Sequence, residues 1–165
     1  MKKKLLLLII PFMLIACSMA NTPTSKVEEL FAKYQKIDTD INLGIDSVLD
    51  EQNLTDNHKA RYRKLLETQY HNLSYNIKDE IIDGDNATVI AEIEVTDYRS
   101  SINDLTFDST IYTKETFDEA KLDRLENAKD KVNYTLELTL TKDDEGTWKL
   151  NALTNEQIKK IQGMY

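Results

Sequence analysis

The chain has 165 residues, and its 21 Lys and Arg against 29 Asp and Glu give a formal net charge of −8. A nucleic acid or an anionic lipid surface is therefore an unfavourable partner, because both repel an acidic protein. The length suits one domain with a single core, and the single cysteine excludes an intramolecular disulfide.

The N-terminus is typical of an export signal. Three lysines at positions 2–4 precede an apolar run over 5–15, which ends at the small residue Ala16. As a helix this run would span only ~17 Å, roughly half of a hydrocarbon core, and Pro11 would interrupt it. Residues 1–16 are therefore predicted to be a cleaved signal peptide rather than a permanent membrane span.

The signal ends in Leu14-Ile15-Ala16-Cys17, and this sequence resembles the lipobox of bacterial lipoproteins. The resemblance implies cleavage before Cys17, which receives a diacylglyceryl group and becomes the new N-terminus. Lipidation also accounts for a lone thiol in an exported chain. Since two or three acyl chains anchor a protein stably, we expect Cys17 to hold the protein on the extracytoplasmic side of the cell membrane.

A short tether is predicted between the lipid and the first helix. Residues 17–25 are polar apart from Met19, Ala20 and Pro23, and the eight residues after Cys17 reach at most roughly 27 Å when fully extended. The single domain, predicted for residues 26–165, would therefore work close to the membrane.

Three amphipathic helices are predicted after the tether, because apolar residues recur at spacings of three and four. Ser25 is the predicted N-cap of the first helix, and Thr55 or Asn53 that of the third, which runs from about Asp56 to Asn72. The apolar faces of the three helices consist of Val27, Leu30, Phe31 and Tyr34; Ile41, Ile45, Val48 and Leu49; and Tyr62, Leu65, Leu66 and Tyr70.

Two hairpins are predicted where the period changes to two. The first turns at Asp83-Gly84-Asp85 and the second at Asp143 to Gly146. One face of each strand is apolar and the other mostly polar, as in a sheet with one side on a core. The residues expected to face inward are Leu73, Tyr75, Ile77; Ala87, Val89, Ala91, Ile93, Val95; Val132, Tyr134, Leu136, Leu138, Leu140; and Trp148, Leu150.

Two more helices complete the pattern. Thr116 with Glu119 predicts a capping box that opens a helix through Leu125, and Thr154 with Gln157 predicts another before Ile158 and Ile161. Gly163 suits the end of the last helix.

This order predicts an α+β domain, with N-terminal helices packed on a curved antiparallel sheet of about four strands. It resembles the cystatin-like roll of the nuclear transport factor 2 superfamily, and small lipoproteins of low-GC bacteria in which a helical half precedes two hairpins. The residues that carry the resemblance are Asn53-Leu54-Thr55-Asp56, Asp83-Gly84-Asp85, Val132 to Leu140 and Trp148-Lys149-Leu150. The resemblance implies architecture and assigns no activity to any residue.

Catalysis is not expected from this sequence. Catalytic members of the superfamily use acid or base groups in the hollow of the roll, whereas the inward positions predicted here are apolar apart from Tyr134. His58 and His71 are 13 positions apart, so they do not share a metal, and both are expected to be exposed polar residues of a helix. The sequence thus predicts no enzyme, no cofactor and no metal site.

The connection over 97–115 is the least regular segment, and it contains Tyr98, Phe107 and Tyr112. Long connections are often functional. One hypothesis makes it a lid over a small apolar ligand, with these three aromatics and Tyr134 as ligand contacts. The favoured hypothesis is a plain crossover, in which Phe107 is a buried plug.

A non-catalytic interaction module of the envelope is therefore the predicted function, with an envelope protein as partner. The alternative is a lipoprotein that binds a small apolar ligand in the hollow of the roll. Homodimerisation through the polar face of the sheet stays open.

Overall fold

Residues 21–165 are those that the computed structural model describes, and within them the chain forms six helices and one four-stranded sheet. The α+β class is confirmed. The predicted signal peptide and Cys17 lie outside the described residues. The elements in chain order are α1 Pro23–Lys36, α2 Thr39–Glu51, α3 Asp56–His71, β1 Ser74–Asp83, β2 Asn86–Thr96, α4 Tyr98–Ser101, α5 Lys114–Asn127, β3 Lys131–Lys142, β4 Trp148–Leu150 and α6 Asn155–Ile161.

The sheet is an open antiparallel meander in the order β1-β2-β3-β4. Its predicted alternation is confirmed in the two central strands, where Val89 pairs with Leu138 and Ala91 with Leu136. Side chains of directly opposed residues share a face, so these pairs form one continuous apolar surface. The inward residues of β2 and the last three of β3 are all buried.

Helices cover the apolar face of the sheet. Val27 and Phe31 of α1 are fully buried, and the Phe31 ring stacks on Tyr75 of β1 with centroids 4.5 Å apart. Tyr34 packs edge-on against Tyr70, which joins α1 to α3. The predicted faces of the three N-terminal helices therefore converge on one core.

Two helix starts differ from prediction. The N-cap of α1 is Thr22, and Ser25 is the third helical residue of a reciprocal capping box, so the helix takes in the end of the predicted tether. In α5 the N-cap is Thr113 with Thr116 at the third position, because Thr113 offers the same capping oxygen three residues earlier. The caps at Thr55 and Thr154 are as predicted.

The ends of β2 and α6 are joined by a close approach. Gly163 has a φ of +69°, and a Cβ at this position would overlap the Thr96 carbonyl oxygen. The Arg99 amide donates to the Gly163 carbonyl at 2.9 Å. The glycine is thus required both by backbone conformation and by space.

Among residues 21–165, no helix has the length and apolar character needed to cross a bilayer.

Candidate functional site

The apolar face of the sheet, where the predicted roll would have its hollow, is closely packed. Val89, Ala91 and Ile93 are 0% exposed, and Leu136 and Leu138 are 1% exposed. Side chains that line a water-sized cavity keep accessible area even when the cavity is closed, so values this low indicate direct packing. The space in which the alternative hypothesis places a ligand is therefore occupied by the core at these positions.

Two of the predicted ligand contacts have structural partners elsewhere. Tyr98 begins α4 and is buried, with its hydroxyl donating to the Leu65 carbonyl at 3.4 Å. Tyr134 is half-buried, and its hydroxyl donates to the Tyr165 carbonyl at 3.1 Å. Burial raises the pKa of both phenols, so they stay neutral at physiological pH.

Phe107 and Tyr112 are brought together on α5. Each ring packs edge-on against Phe117, with centroid distances of 5.4 and 5.6 Å. Phe107 is nevertheless 48% exposed, so its prediction as a buried plug is wrong. The contact with Phe117 therefore leaves about half of the Phe107 side chain in water.

These side chains belong to what we call the crossover surface, in which four apolar or aromatic residues stand beside five polar ones. Its residues are Leu105, Phe107, Ile111 and Tyr112, with Asp104, Thr106, Asp108, Ser109 and Arg124. They line an open cleft of about 640 Å³. Ile111 is 70% exposed, the highest value among the large apolar side chains of the described residues. The cleft is open to solvent, and both apolar and polar side chains line it.

The crossover surface is held in place by polar contacts. Arg124 of α5 forms an ion pair with Asp104. The Asp108 carboxylate accepts from the Thr110 amide at 2.8 Å and from the Thr110 hydroxyl at 2.7 Å, and these bonds lower the pKa of Asp108. The Tyr112 amide donates to the Asp108 carbonyl at 2.8 Å, which closes a turn. The apolar groups therefore stand on an ordered loop.

A cluster of charged side chains joins α3 to α5. The Arg61 guanidinium donates to Glu119 at 2.6 Å, to Asp123 at 2.7 Å and to Glu126 at 2.8 Å. These bonds hold the pKa values of Glu119 and Glu126 below their usual range, and they raise the pKa of Arg61. The acids recur at spacings of four and three, so a shared helix face was a signal present in the sequence.

His58 belongs to this cluster and corrects a second prediction. It is only 4% exposed, whereas the sequence suggested an exposed helix residue, and its Nε2 lies 2.8 Å from Glu119. His71 is exposed, as expected. The other ring nitrogen of His58, Nδ1, has no hydrogen-bond partner among the described residues.

The two partners of the His58–Glu119 pair differ in exposure, because the His58 side chain is 5% exposed and that of Glu119 is 49% exposed. A cleft of about 380 Å³ between α3 and α5 reaches Arg61 and Glu126, but His58 is not in its lining. The His58 ring is buried between α3 and α5, and its hydrogen bond to Glu119 joins the two helices. In the described part of the chain, no three His, Cys, Asp or Glu side chains are arranged to hold a metal ion.

Comparison with known proteins finds no match: no family model, no curated protein and no solved structure matches this chain. The likeness to the cystatin-like roll stays a prediction. The structure shows an α+β domain with four antiparallel strands in an open sheet.

Proposed function

We propose that this chain is a lipid-anchored protein of the bacterial envelope whose domain is a non-catalytic interaction module. The observation that carries the proposal is the crossover surface, with Phe107 and Ile111 exposed on an ordered loop. Exposed apolar groups gathered on one surface and bordered by polar residues are typical of protein interaction sites.

The chemistry of the surface suits a protein partner. Phe107 and Ile111 offer apolar area that is lost from water on binding, which is the main favourable term in association. Asp104, Asp108 and Arg124 provide charged groups beside them, which fix orientation. Because the loop is already ordered by its own bonds, a partner has little conformational entropy to overcome.

Anchoring by lipid is part of the same proposal. Cys17 is four residues before Asn21 in sequence, and Asn21 already belongs to the domain: its side chain donates to the Gly146 carbonyl and accepts from the Trp148 amide. Four residues span at most ~14 Å. A lipid on Cys17 would therefore hold the domain beside the membrane surface, with the β3–β4 turn nearest to it.

Cys17→Ala tests the anchor. Without the thiol no thioether to a diacylglyceryl group can form, so we expect the variant protein to lose detergent-phase partitioning and to appear uncleaved or released. Fractionation of cells that express the full chain measures this. A mature variant that stays in the membrane through high-salt washing would contradict the proposal.

Binding of a small apolar ligand is the second candidate, and the cleft at the crossover surface is what favours it. The core covers the inner face of the central strands, so a ligand would bind at the crossover surface and contact Phe107, Ile111 and Tyr112. A ligand bound in this open cleft would keep much of its surface in water. Sites for small apolar ligands are usually concave pockets that bury most of the ligand, so the cleft suits a lipid tail or an aromatic metabolite poorly.

A photoreactive amino acid placed at Ile111 in living cells separates the two candidates. We expect a protein adduct of defined mass at Ile111, and none when the probe replaces Thr139, which is exposed on the polar face of the sheet. The adduct should disappear in the Phe107→Ser background while the melting temperature changes little. Equal labelling at both positions would refute the proposal, and an adduct of lipid mass would favour the ligand candidate.

A further inference from the structure

The two edges of the sheet are protected unequally. Beyond the short β4, the open side of β3 is covered by α6: the Gln157 side chain donates to the Glu137 carbonyl at 2.6 Å, and Lys160 donates to the Thr135 carbonyl at 3.4 Å. At the other edge, β1 is ten residues long, and β2 is its single strand partner in the described part of the chain. The outer side of β1 is thus the long free edge.

Apolar side chains are exposed on this edge. Ile81 and Ile82 are 53% and 54% exposed, and as neighbours in a strand they project from opposite faces. Charged side chains on a free edge resist pairing unless an opposite charge compensates them, and β1 carries Lys78, Asp79, Glu80 and Asp83. Here the Glu80 carboxylate is bound by the Thr24 amide at 2.8 Å and the Thr24 hydroxyl at 2.6 Å, at the start of α1.

A bulge divides β1 into two halves. The register with β2 shifts at Lys78, so Tyr75 and Ile77 lie on the inner face before the bulge, and Glu80 and Ile82 lie on it afterwards. The inner-face residues are therefore odd-numbered in one half and even-numbered in the other. The pairing with the buried residues of β2 establishes these faces. The pairs are Tyr75 with Ile93, Ile77 with Ala91, Glu80 with Val89 and Ile82 with Ala87.

This shift makes the strand complementary to itself. If two copies of β1 pair antiparallel about a twofold axis between Lys78 and Asp79, each half meets the opposite half of the other strand. Inner-face residues then oppose inner-face residues, whereas a slip of one residue would reverse them. The opposed pairs flanking the axis are Ile77 with Glu80, Asn76 with Ile81 and Tyr75 with Ile82 of the second copy.

Charge selects the same register. It places Lys78 opposite Asp79 of the second copy, and the twofold axis repeats this contact, so two opposite-charge pairs form at the centre. Lys78 Nζ lies 3.2 Å from a carboxylate oxygen of Glu92 in its own chain, and the two side chains are 42% and 44% exposed. The lysine can therefore turn towards the edge at little cost.

We propose that a second copy of this chain binds at β1, forming an eight-stranded antiparallel sheet with Lys78 opposite Asp79 across the interface. The occupant is identified by the matched faces and charges of the strand with itself. The proposal depends neither on the lipid anchor nor on the crossover surface.

Charge exchange tests the dimer in the full-length protein, purified in mild detergent and measured by sedimentation. Lys78→Glu leaves two acidic residues opposite two aspartates, and Asp79→Lys leaves lysines opposite lysines. Each single variant should weaken the dimer roughly 10-fold or more, since attraction becomes repulsion in two contacts. An equimolar mixture of the two single variants restores opposite charges in both contacts and should dimerise again.

Glu92→Gln is the matched control, because it removes the contact of Lys78 within the chain and leaves the edge unchanged. It should dimerise as the parent does. A parent that is monomeric up to about 0.1 mM would overturn the proposal. A dimer unaffected by the single variants, or single variants that stay monomeric when mixed, would place the interface elsewhere and overturn it as well.

Discussion

Replacement of Gln69 by leucine should destabilise the domain although leucine has a similar size and is apolar. The Gln69 side chain is 2% exposed and binds the end of β2 like an additional strand: its Oε1 accepts from the Thr96 amide and its Nε2 donates to the Thr96 carbonyl, both at 3.0 Å. Leucine leaves both backbone groups without these partners.

The expected magnitude follows from those two groups. An unsatisfied buried amide or carbonyl costs about 1–3 kcal/mol. Because Thr96 is half-buried and leucine gains apolar burial, we expect the lower end, a total of about 2 kcal/mol out of a stability of about 5–15 kcal/mol. For a domain near 150 residues this lowers the melting temperature by roughly 4–8 °C.

Denaturant and thermal unfolding measure the loss, with Gln35→Leu as the matched control. Gln35 also donates from its side chain to a backbone carbonyl, that of Leu73 at 2.7 Å, but it is half-exposed, so water can replace the bond. Its loss should stay below about 1 kcal/mol. If Gln69→Leu had the same melting temperature as Gln35→Leu, or the same as the parent, the role given to Gln69 would be refuted.

Gln69→Glu adds a pH dependence with a defined sign. A carboxylate at this position is desolvated and faces the Thr96 carbonyl, so its pKa in the folded state is raised above the unfolded value of about 4.3. The variant is therefore closest to the parent below that unfolded pKa, where the acid can donate to the carbonyl. Its stability relative to the parent falls as pH rises through the folded pKa.

Three further predictions concern the sheet, the crossover surface and the charged cluster. Leu138→Asp should prevent folding, because an unpaired carboxylate would be buried at a cost of several kcal/mol, whereas Glu137→Lys on the exposed face should melt like the parent; equal melting would refute the register. Phe107→Ala should cost about 1 kcal/mol or less in thermal melts, since half of the ring is already in water, and a loss of 3–5 kcal/mol would restore the buried plug. Arg61→Met should remove part of the loss of stability on acidification: the carboxylates that Arg61 binds have lowered pKa values, so their contribution is present above the unfolded pKa and is lost as pH falls through the folded one. A parent and variant with the same acid unfolding curve would contradict this.

Much of the secondary structure could be predicted because its causes are local. The alternation of Ala87 to Val95 depends on the two-residue period of a strand, and the structure places those residues on the core as expected. The caps at Thr55 and Thr154 depend on an oxygen within three residues of the amide it accepts from. Where two such oxygens compete, as at Thr113 and Thr116, the local pattern alone is ambiguous.

The burial and the partners of the candidate site residues could not be predicted from local patterns. His58 is buried because α5 packs over it, and the groups that bind Arg61 are 58 to 65 residues away in sequence. Phe107 packs on Phe117 of α5 and keeps half of its side chain exposed, and no periodicity within the segment encodes that contact.

The sequence by itself determined the α+β class and the inward faces of the central strands, because these depend on residue patterns within short segments. The export signal and Cys17 stay predictions from the same kind of local pattern. Only the tertiary structure decided that the apolar face of the sheet is closely packed, that the crossover presents apolar groups to solvent, and that β1 is a long free edge with a bulge at Lys78. These features arise where elements distant in sequence meet, and there packing and burial outweigh local preference.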